Sequence, residues 1–290
     1  MKFMKYKYLY FAVSLLVLIP GIYSLIRYGL RLSIDFTGGT LLEIQAPGSA
    51  NFAGVSASQN LELYSVQSTG DNTYLLRFKP LTQEQNDQFK KALGNVSERR
   101  FETVGPLIGQ ELTRKAVLSI ILASIFIILY IAWSFRSIPQ PYASWKFGVS
   151  AVIALLHDAF VVLGIFSLFG HYFHVEIDSL FVTAILTVIG FSVHDTIVVF
   201  DRIRENLIKH PRVDFSQIVD YSVTETLNRS LSTSLTVTLT LTALLLFGGD
   251  SIRWFVVALL IGIVSGTYSS IFNAAPFLVL WESRFHNSSS

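Results

Sequence analysis

Apolar residues in this chain gather into six long runs separated by polar segments. The runs cover approximately Tyr8–Ile26, Ala116–Phe135, Phe147–Phe169, Leu180–Phe200, Ser230–Phe247 and Trp254–Leu280. A hydrocarbon core of about 30 Å is crossed by around 20 mostly apolar residues, so each run predicts a membrane-spanning helix. The fifth run contains a period-two alternation, Thr236 to Thr242, which alone would suggest a strand. An open strand in lipid leaves its edge groups unpaired, whereas helical Ser and Thr bond back to the preceding turn. A helix is therefore expected there, its hydroxyls buried within the bundle. Gly262 and Gly266 give the sixth run a close-packing seam.

Between the first two runs the pattern shortens. Thr40–Ala46, Leu61–Gln67, Thr73–Lys79 and Glu98–Val104 alternate as strands, with a turn at Gly70-Asp71-Asn72. Leu81-Thr82 opens a helix running to about Leu93, and a shorter helix is expected near Asn51–Ser58. The order β(α)ββαβ is that of a ferredoxin-like sandwich, whose sheet can offer an exposed apolar face for docking. The expected architecture is an α-helical integral membrane protein with a small α+β extracytoplasmic domain. Its parts are a first span with its N-terminus (1–29), the α+β domain (30–113), five further spans (114–284) and a tail (285–290).

Composition agrees with a membrane chain: 51% hydrophobic residues, 14% charged residues and a mean hydropathy of +0.51. A net charge of +2 gives no footprint for nucleic acid. The chain has no cysteine, which excludes disulfides, thiolate metal sites and thiol catalysis. The first run is longer than a signal-peptide core and lacks a clear small-x-small cleavage site, so it is read as retained. Lys2, Lys5, Lys7, Arg136, Lys146, Arg202, Arg204, Lys209, Arg212, Arg229 and Arg284 all fall on one side of the six runs. The positive-inside rule makes that side cytoplasmic and places both termini there.

Candidate chemistry sits inside the runs. His157-Asp158 lies in the third and His194-Asp195 in the fourth, at comparable depth. A carboxylate at the centre of a span costs about 2.5–3.5 kcal/mol to insert, and residues carrying that cost commonly serve ion or proton pathways. The competing reading is a neutral Asp hydrogen-bonded across a helix contact. Arg229, at the inner end of the fifth run, is either a counter-charge for Asp195 or an interfacial anchor. No compact metal-ligand spacing is present, and no metal or cofactor is expected. Asp35-Phe36-Thr37-Gly38-Gly39-Thr40 looks like a phosphate loop but lacks the following Gly-Lys-Ser/Thr, and reads as a glycine turn. With no nucleophile–base–orienter set, an enzyme is not expected.

Six motifs carry a resemblance: DFTGGT at Asp35–Thr40, VGPLIGQEL at Val104–Leu112 (with Gly105 and Pro106), LLHD at Leu155–Asp158, IGFSVHDTIVVFDRIREN at Ile189–Asn206, LNRSLSTSLT at Leu227–Thr236 and LLIGIVSGTYSSIF at Leu259–Phe272. In this order, across almost the whole chain, they resemble the SecF family of protein-export membrane proteins, within the SecD/SecF group of the RND superfamily. The resemblance implies an RND-type six-helix bundle in the bacterial cytoplasmic (inner) membrane. It implies pairing with SecD, and work beside the SecYEG channel, the SecA motor and the translocating preprotein, with YajC-like or YidC-like membrane proteins as further neighbours. It also implies use of the proton motive force, with Asp195 and Arg229 on the proton path and His194, His157 and Asp158 as companions. Family members commonly carry Asn before the fourth-span Asp; here it is His194, which adds a titrating ring. Three alternatives stay open: sodium in place of protons, a purely structural translocon subunit, and an RND-type small-molecule transporter.

Overall fold

A computed structural model describes residues 2–47, 50–70, 72–94, 96–136, 138–139 and 142–286. Asp71 of the expected turn and residues 287–290 of the tail lie outside the described residues. The backbone separates into two compact units, Met1–Arg31 with Ser119–Ser290, and Leu32–Leu118. The first span is α1 (Lys7–Tyr28), led in by a 3-10 turn at Phe3–Tyr6.

In the smaller unit a single turn, α2 (Ile34–Thr37), precedes strand β1 (Gly39–Gln45). Helix α3 (Phe52–Ser58), strands β2 (Leu63–Gly70) and β3 (Thr73–Phe78), helix α4 (Gln83–Leu93) and strand β4 (Ser97–Val104) follow. The sheet is antiparallel in the order β2-β3-β1-β4, the expected split arrangement. Alternation along β1 and β3 sends Leu42, Ile44, Leu76 and Phe78 into a core closed by Phe52 of α3 and Phe89 of α4. Phe89 meets Phe78 edge-on at 5.1 Å. Helix α4 starts where Thr82 and Gln85 form a reciprocal capping box, and ends at Gly94, whose φ is +84. Edge strand β4 exposes Glu98, Arg99, Arg100 and Glu102, and exposed large apolar residues of β2 are limited to Tyr64 and Val66. Charge on an edge strand guards it against pairing with another chain.

The remaining spans are α5 (Pro106–Ser134), α6 (Ser144–Tyr172), α7 (Ser179–Lys209), α8 (Phe215–Phe247), and α9 (Arg253–Ser269) continued through a π-helical turn at Ser270–Ala274 into α10 (Ala275–His286). Among the described residues six helices are thus long and apolar enough to cross a membrane, as the pattern requires. Two of them overrun their apolar stretches: α7 continues to Lys209 and α8 starts at Phe215. Their polar ends hold each other, Arg202 Nε donating to Glu225 at 2.6 Å and Asn206 Nδ2 to Ser222 at 3.0 Å.

Small residues set the helix crossings. A Cβ added to Gly164 of α6 would lie 2.6 Å from the Gly21 Cα of α1. On Gly262 of α9 it would overlap the Val188 side chain of α7, and on Gly266 it would lie 3.1 Å from Ser192 Cβ. The Gly262/Gly266 pair is therefore the α9–α7 seam, where backbones approach closely enough for short side chains to meet. Helix α8 departs from expectation. Thr236 and Thr240 are exposed, each donating to a carbonyl of its own helix, Ser232 and Thr236 respectively. A hydroxyl satisfied by its own backbone does not need burial, so hydroxyl content did not indicate the inward face.

Candidate functional site

The sixth span supplies what the two buried carboxylates need. Along its sequence Ser-Gly-Thr-Tyr-Ser-Ser, Ser265 and Ser269 are four residues apart on one helical face, with Gly262 and Gly266 beside them. Lacking side chains, those glycines let α9 press against α7 and α6. Asp158 of α6, 1% exposed, lies in the pocket so formed. Its Oδ2 accepts from Ser192 Oγ of α7 and Ser269 Oγ of α9, both at 2.5 Å; its Oδ1 accepts from Ser265 Oγ at 2.7 Å. His157 Nδ1 stands 3.0 Å from the same Oδ1. Three hydroxyls thus converge on one carboxyl, each at hydrogen-bonding distance from one of its oxygens.

Asp195 of α7 is also buried, at 3% exposure. The Thr267 hydroxyl of α9 reaches its carboxyl, and the same hydroxyl lies 2.5 Å from Ser234 Oγ of α8. Among the described residues, Asp195 Oδ2 and Ser230 Oγ of α8 have no hydrogen-bond partner. Thr196, the next residue, meets Ser270 Oγ at 2.9 Å. One helix thus faces both acids: Ser265 and Ser269 serve Asp158, while Thr267 serves Asp195. The two carboxylates differ in a way that matters chemically. Asp158 is saturated with donors, and Asp195 keeps an open oxygen able to take a proton or another donor.

The other candidates separate. His157 is half-buried, its Nε2 without a hydrogen-bond partner among the described residues, whereas the next candidate, His194, lies exposed on α7. Arg229 is exposed on α8 and lines an open cavity with Glu225 and Thr226. Among the described residues no ion pair joins it to Asp195.

The glycine turn meets the start of α5. Asp35 N donates to Ser33 Oγ at 3.2 Å, opening the α2 turn. Gly38 and Gly39 have φ of +71 and +124, which L side chains rarely adopt. A Cβ on Gly39 would lie 2.8 Å from the Phe78 carbonyl oxygen, and one on Gly38 3.1 Å from Pro106 Cα. Gly105 opens α5, its carbonyl accepting from Gly109 N at 3.0 Å. The DFTGGT and VGPLIGQEL motifs, far apart in sequence, are therefore one backbone-to-backbone contact.

Ser192, Ser265, Ser269 and Thr267 were not singled out from the sequence. Their signal was available as the small-residue face 262, 265, 266, 269, but single-chain periodicity does not say which acid faces it.

Residues 84–284 match the family model for the protein export membrane protein SecD/SecF, C-terminal, and residues 23–46 match the SecD/SecF GG motif. The protein translocase subunit SecF of Thermobaculum terrenum is 45% identical, over 97% of this chain and 93% of that protein. Its counterpart in Anaerolinea thermophila is 42% identical, over 96% and 92%. Among solved structures, the translocon-associated membrane protein SecDF of Thermus thermophilus aligns with a TM-score of 0.83 at 32% identity. That alignment covers 98% of this chain, which spans only 39% of the SecDF chain. A SecDF structure in a super-membrane-facing form aligns at 0.72 and 31% identity, over 100% and 40%. With the six spans, the split sheet and the glycine turn against α5 in place, the chain belongs to the SecD/SecF family of protein-export membrane proteins, on its SecF side.

Proposed function

We propose that this multi-pass membrane protein pairs with SecD in the bacterial inner membrane and uses the proton motive force to promote preprotein export. Its termini face the cytoplasm, where SecA and the SecYEG channel act, and its α+β domain handles the emerging chain outside. It has no enzymatic activity of its own. The observation that carries the ion-coupling reading is the unequal pair of buried acids on α6 and α7, both answering to hydroxyls of α9. Asp195, with its open Oδ2, is the proton-loading group, and Asp158 is the fixed charge that holds α6, α7 and α9 in register.

Arg229 enters by movement. It follows Asn228 and precedes Ser230, whose buried hydroxyl already faces the bundle, so a turn of α8 about its axis carries the guanidinium inward. A deprotonated Asp195 favours that turn and a protonated one releases it. A membrane potential of 100 mV supplies about 2.3 kcal/mol per elementary charge, enough to bias such an equilibrium strongly.

The test is export of a secretory protein into membrane vesicles carrying wild type or Asp195→Asn at matched abundance, with the proton gradient and sodium varied independently. A gradient should speed export with wild type and leave the variant unaffected. Equal responses would make the carboxyl a packing group, and a response to sodium alone would replace the proton by that ion. SecD co-purification is expected to survive the substitution.

A further inference from the structure

We propose that the cleft between the end of α5 and the polar ends of α7 and α8 is a binding site for the phosphate of an anionic phospholipid. This reading shares Arg229 with the ion coupling proposed above; its test reads lipid retention rather than export and turns on Arg136, so the two can fail separately. The cleft has a volume of about 720 Å³ and is lined by four arginines, Arg136, Arg202, Arg204 and Arg229, against three carboxylates, Asp201, Glu205 and Glu225.

Every carboxylate is already taken. Arg202 donates through Nε to Glu225 at 2.6 Å and through NH1 to Glu205 at 2.5 Å, and Arg204 holds Asp201 at 2.6 Å. Glu205 also receives Lys209 at 2.6 Å. Two guanidinium groups are left over. Arg136 is exposed and lies over the Trp133 ring, 4.9 Å from its centroid, and Arg229 is exposed across the cleft. Among the described residues neither has a carboxylate partner. Two unpaired guanidinium forks facing one cleft suit the paired oxygens of a phosphate monoester or diester.

A lipid rather than a free ion is favoured by what adjoins the cleft. Trp133 is 61% exposed at the end of a spanning helix, the headgroup level at which tryptophan concentrates. From it, Leu129, Phe126 and Leu122 continue along the same face of α5 at helical spacing, all exposed, and form a track for an acyl chain. Basic pockets between helices at a membrane surface are a recurrent means of holding anionic headgroups.

The test uses the full-length chain in mild detergent, titrated with phosphatidylglycerol or phosphatidylcholine and read by native mass spectrometry, with inorganic phosphate as competitor. Phosphatidylglycerol should be retained preferentially, with affinity falling about fivefold for each of R136Q and R229Q and about 25-fold for the pair. R136Q, at an exposed helix end, keeps the test available if the double variant does not fold. Equal retention of the two lipids, or retention unchanged in R136Q, would overturn the proposal. Displacement by millimolar inorganic phosphate would overturn the lipid as its source and leave a free-anion site.

Discussion

Replacing Ser269 by Ala in two backgrounds, wild type and Asp158→Asn, measures the charge state of the buried acid directly. In the wild type the substitution removes a 2.5 Å hydrogen bond to Asp158 Oδ2, which then keeps only Ser192 on that oxygen. Interhelical hydrogen bonds between neutral groups in bilayers average about 0.6 kcal/mol, with a maximum near 1.7. Ionisation of one partner roughly doubles such a bond, so Ser269→Ala should cost about 1–2 kcal/mol against an ionised Asp158. In the Asp158→Asn background the serine faces a neutral amide, and the same change should cost about 0.5 kcal/mol. The coupling energy is then about 1 kcal/mol, roughly a fivefold difference in the folded-to-unfolded ratio. Asp158→Asn alone should be the most damaging of the three variants, because the two serine donors on Oδ2 and the Ser265 and His157 contacts on Oδ1 are all arranged for acceptors. Reversible unfolding of the purified chain in mixed detergent reports this, since Trp133, Trp145, Trp254 and Trp281 all lie in the helical bundle. Equal cost of Ser269→Ala in both backgrounds, with Asp158→Asn as stable as wild type, would refute an ionised Asp158.

Further outcomes follow from the packing and from the small unit. Gly262→Ala drives a methyl into Val188 and should cost about 1–3 kcal/mol of bundle stability in the same unfolding assay; Val188→Ala added to it should restore part of that loss. Gly39→Ala meets both a φ of +124 and the Phe78 carbonyl, and should destabilise the smaller unit by about 1–3 kcal/mol, seen by fluorine NMR of fluorophenylalanine at Phe78 and Phe89. The Lys90 hydrogen bond holds the Glu98 carboxyl below its ordinary value of 4.5, so the unfolded chain binds this proton more readily than the folded one. That contribution is present above the ordinary value and is lost as pH falls through the lower folded one. The smaller unit should therefore weaken only below about pH 5, and Glu98→Gln should flatten the dependence in the same NMR experiment.

Local physics made much of the fold readable. A span must satisfy its backbone within one segment, so six apolar runs meant six helices, and residues 40–46 and 73–79 alternated because one face of their sheet is covered. The helix after Thr82 was legible for the same reason: its capping box is made within four residues. The site was legible only in its costly members. Asp158 and Asp195 stand out in any apolar run, whereas Ser192, Ser265 and Ser269 are common in spans and gain meaning only once α6, α7 and α9 are packed. The same limit explains Thr236 and Thr240, whose outward position is fixed by which neighbours α8 finds. The docking of DFTGGT on VGPLIGQEL is likewise a long-range contact between two backbones, invisible to local pattern but dependent on the glycines that local pattern picked out.

Among the described residues the sixth span alone carries a wide π-helical turn, at Ser270–Ala274. A π-turn of this kind holds one residue more than an ordinary helical ladder requires. Returning that residue to the i→i+4 ladder would swivel all of α10 by about 100° while α9 kept its grip on both acids. The span is in effect two shafts joined by a ratchet tooth: the upper one is keyed to the carboxylates, and the lower one carries Glu282, bonded to Lys146 of α6 at 3.0 Å. Rotation lost or gained at the tooth would be registered at that far pair without disturbing the serines that hold Asp158.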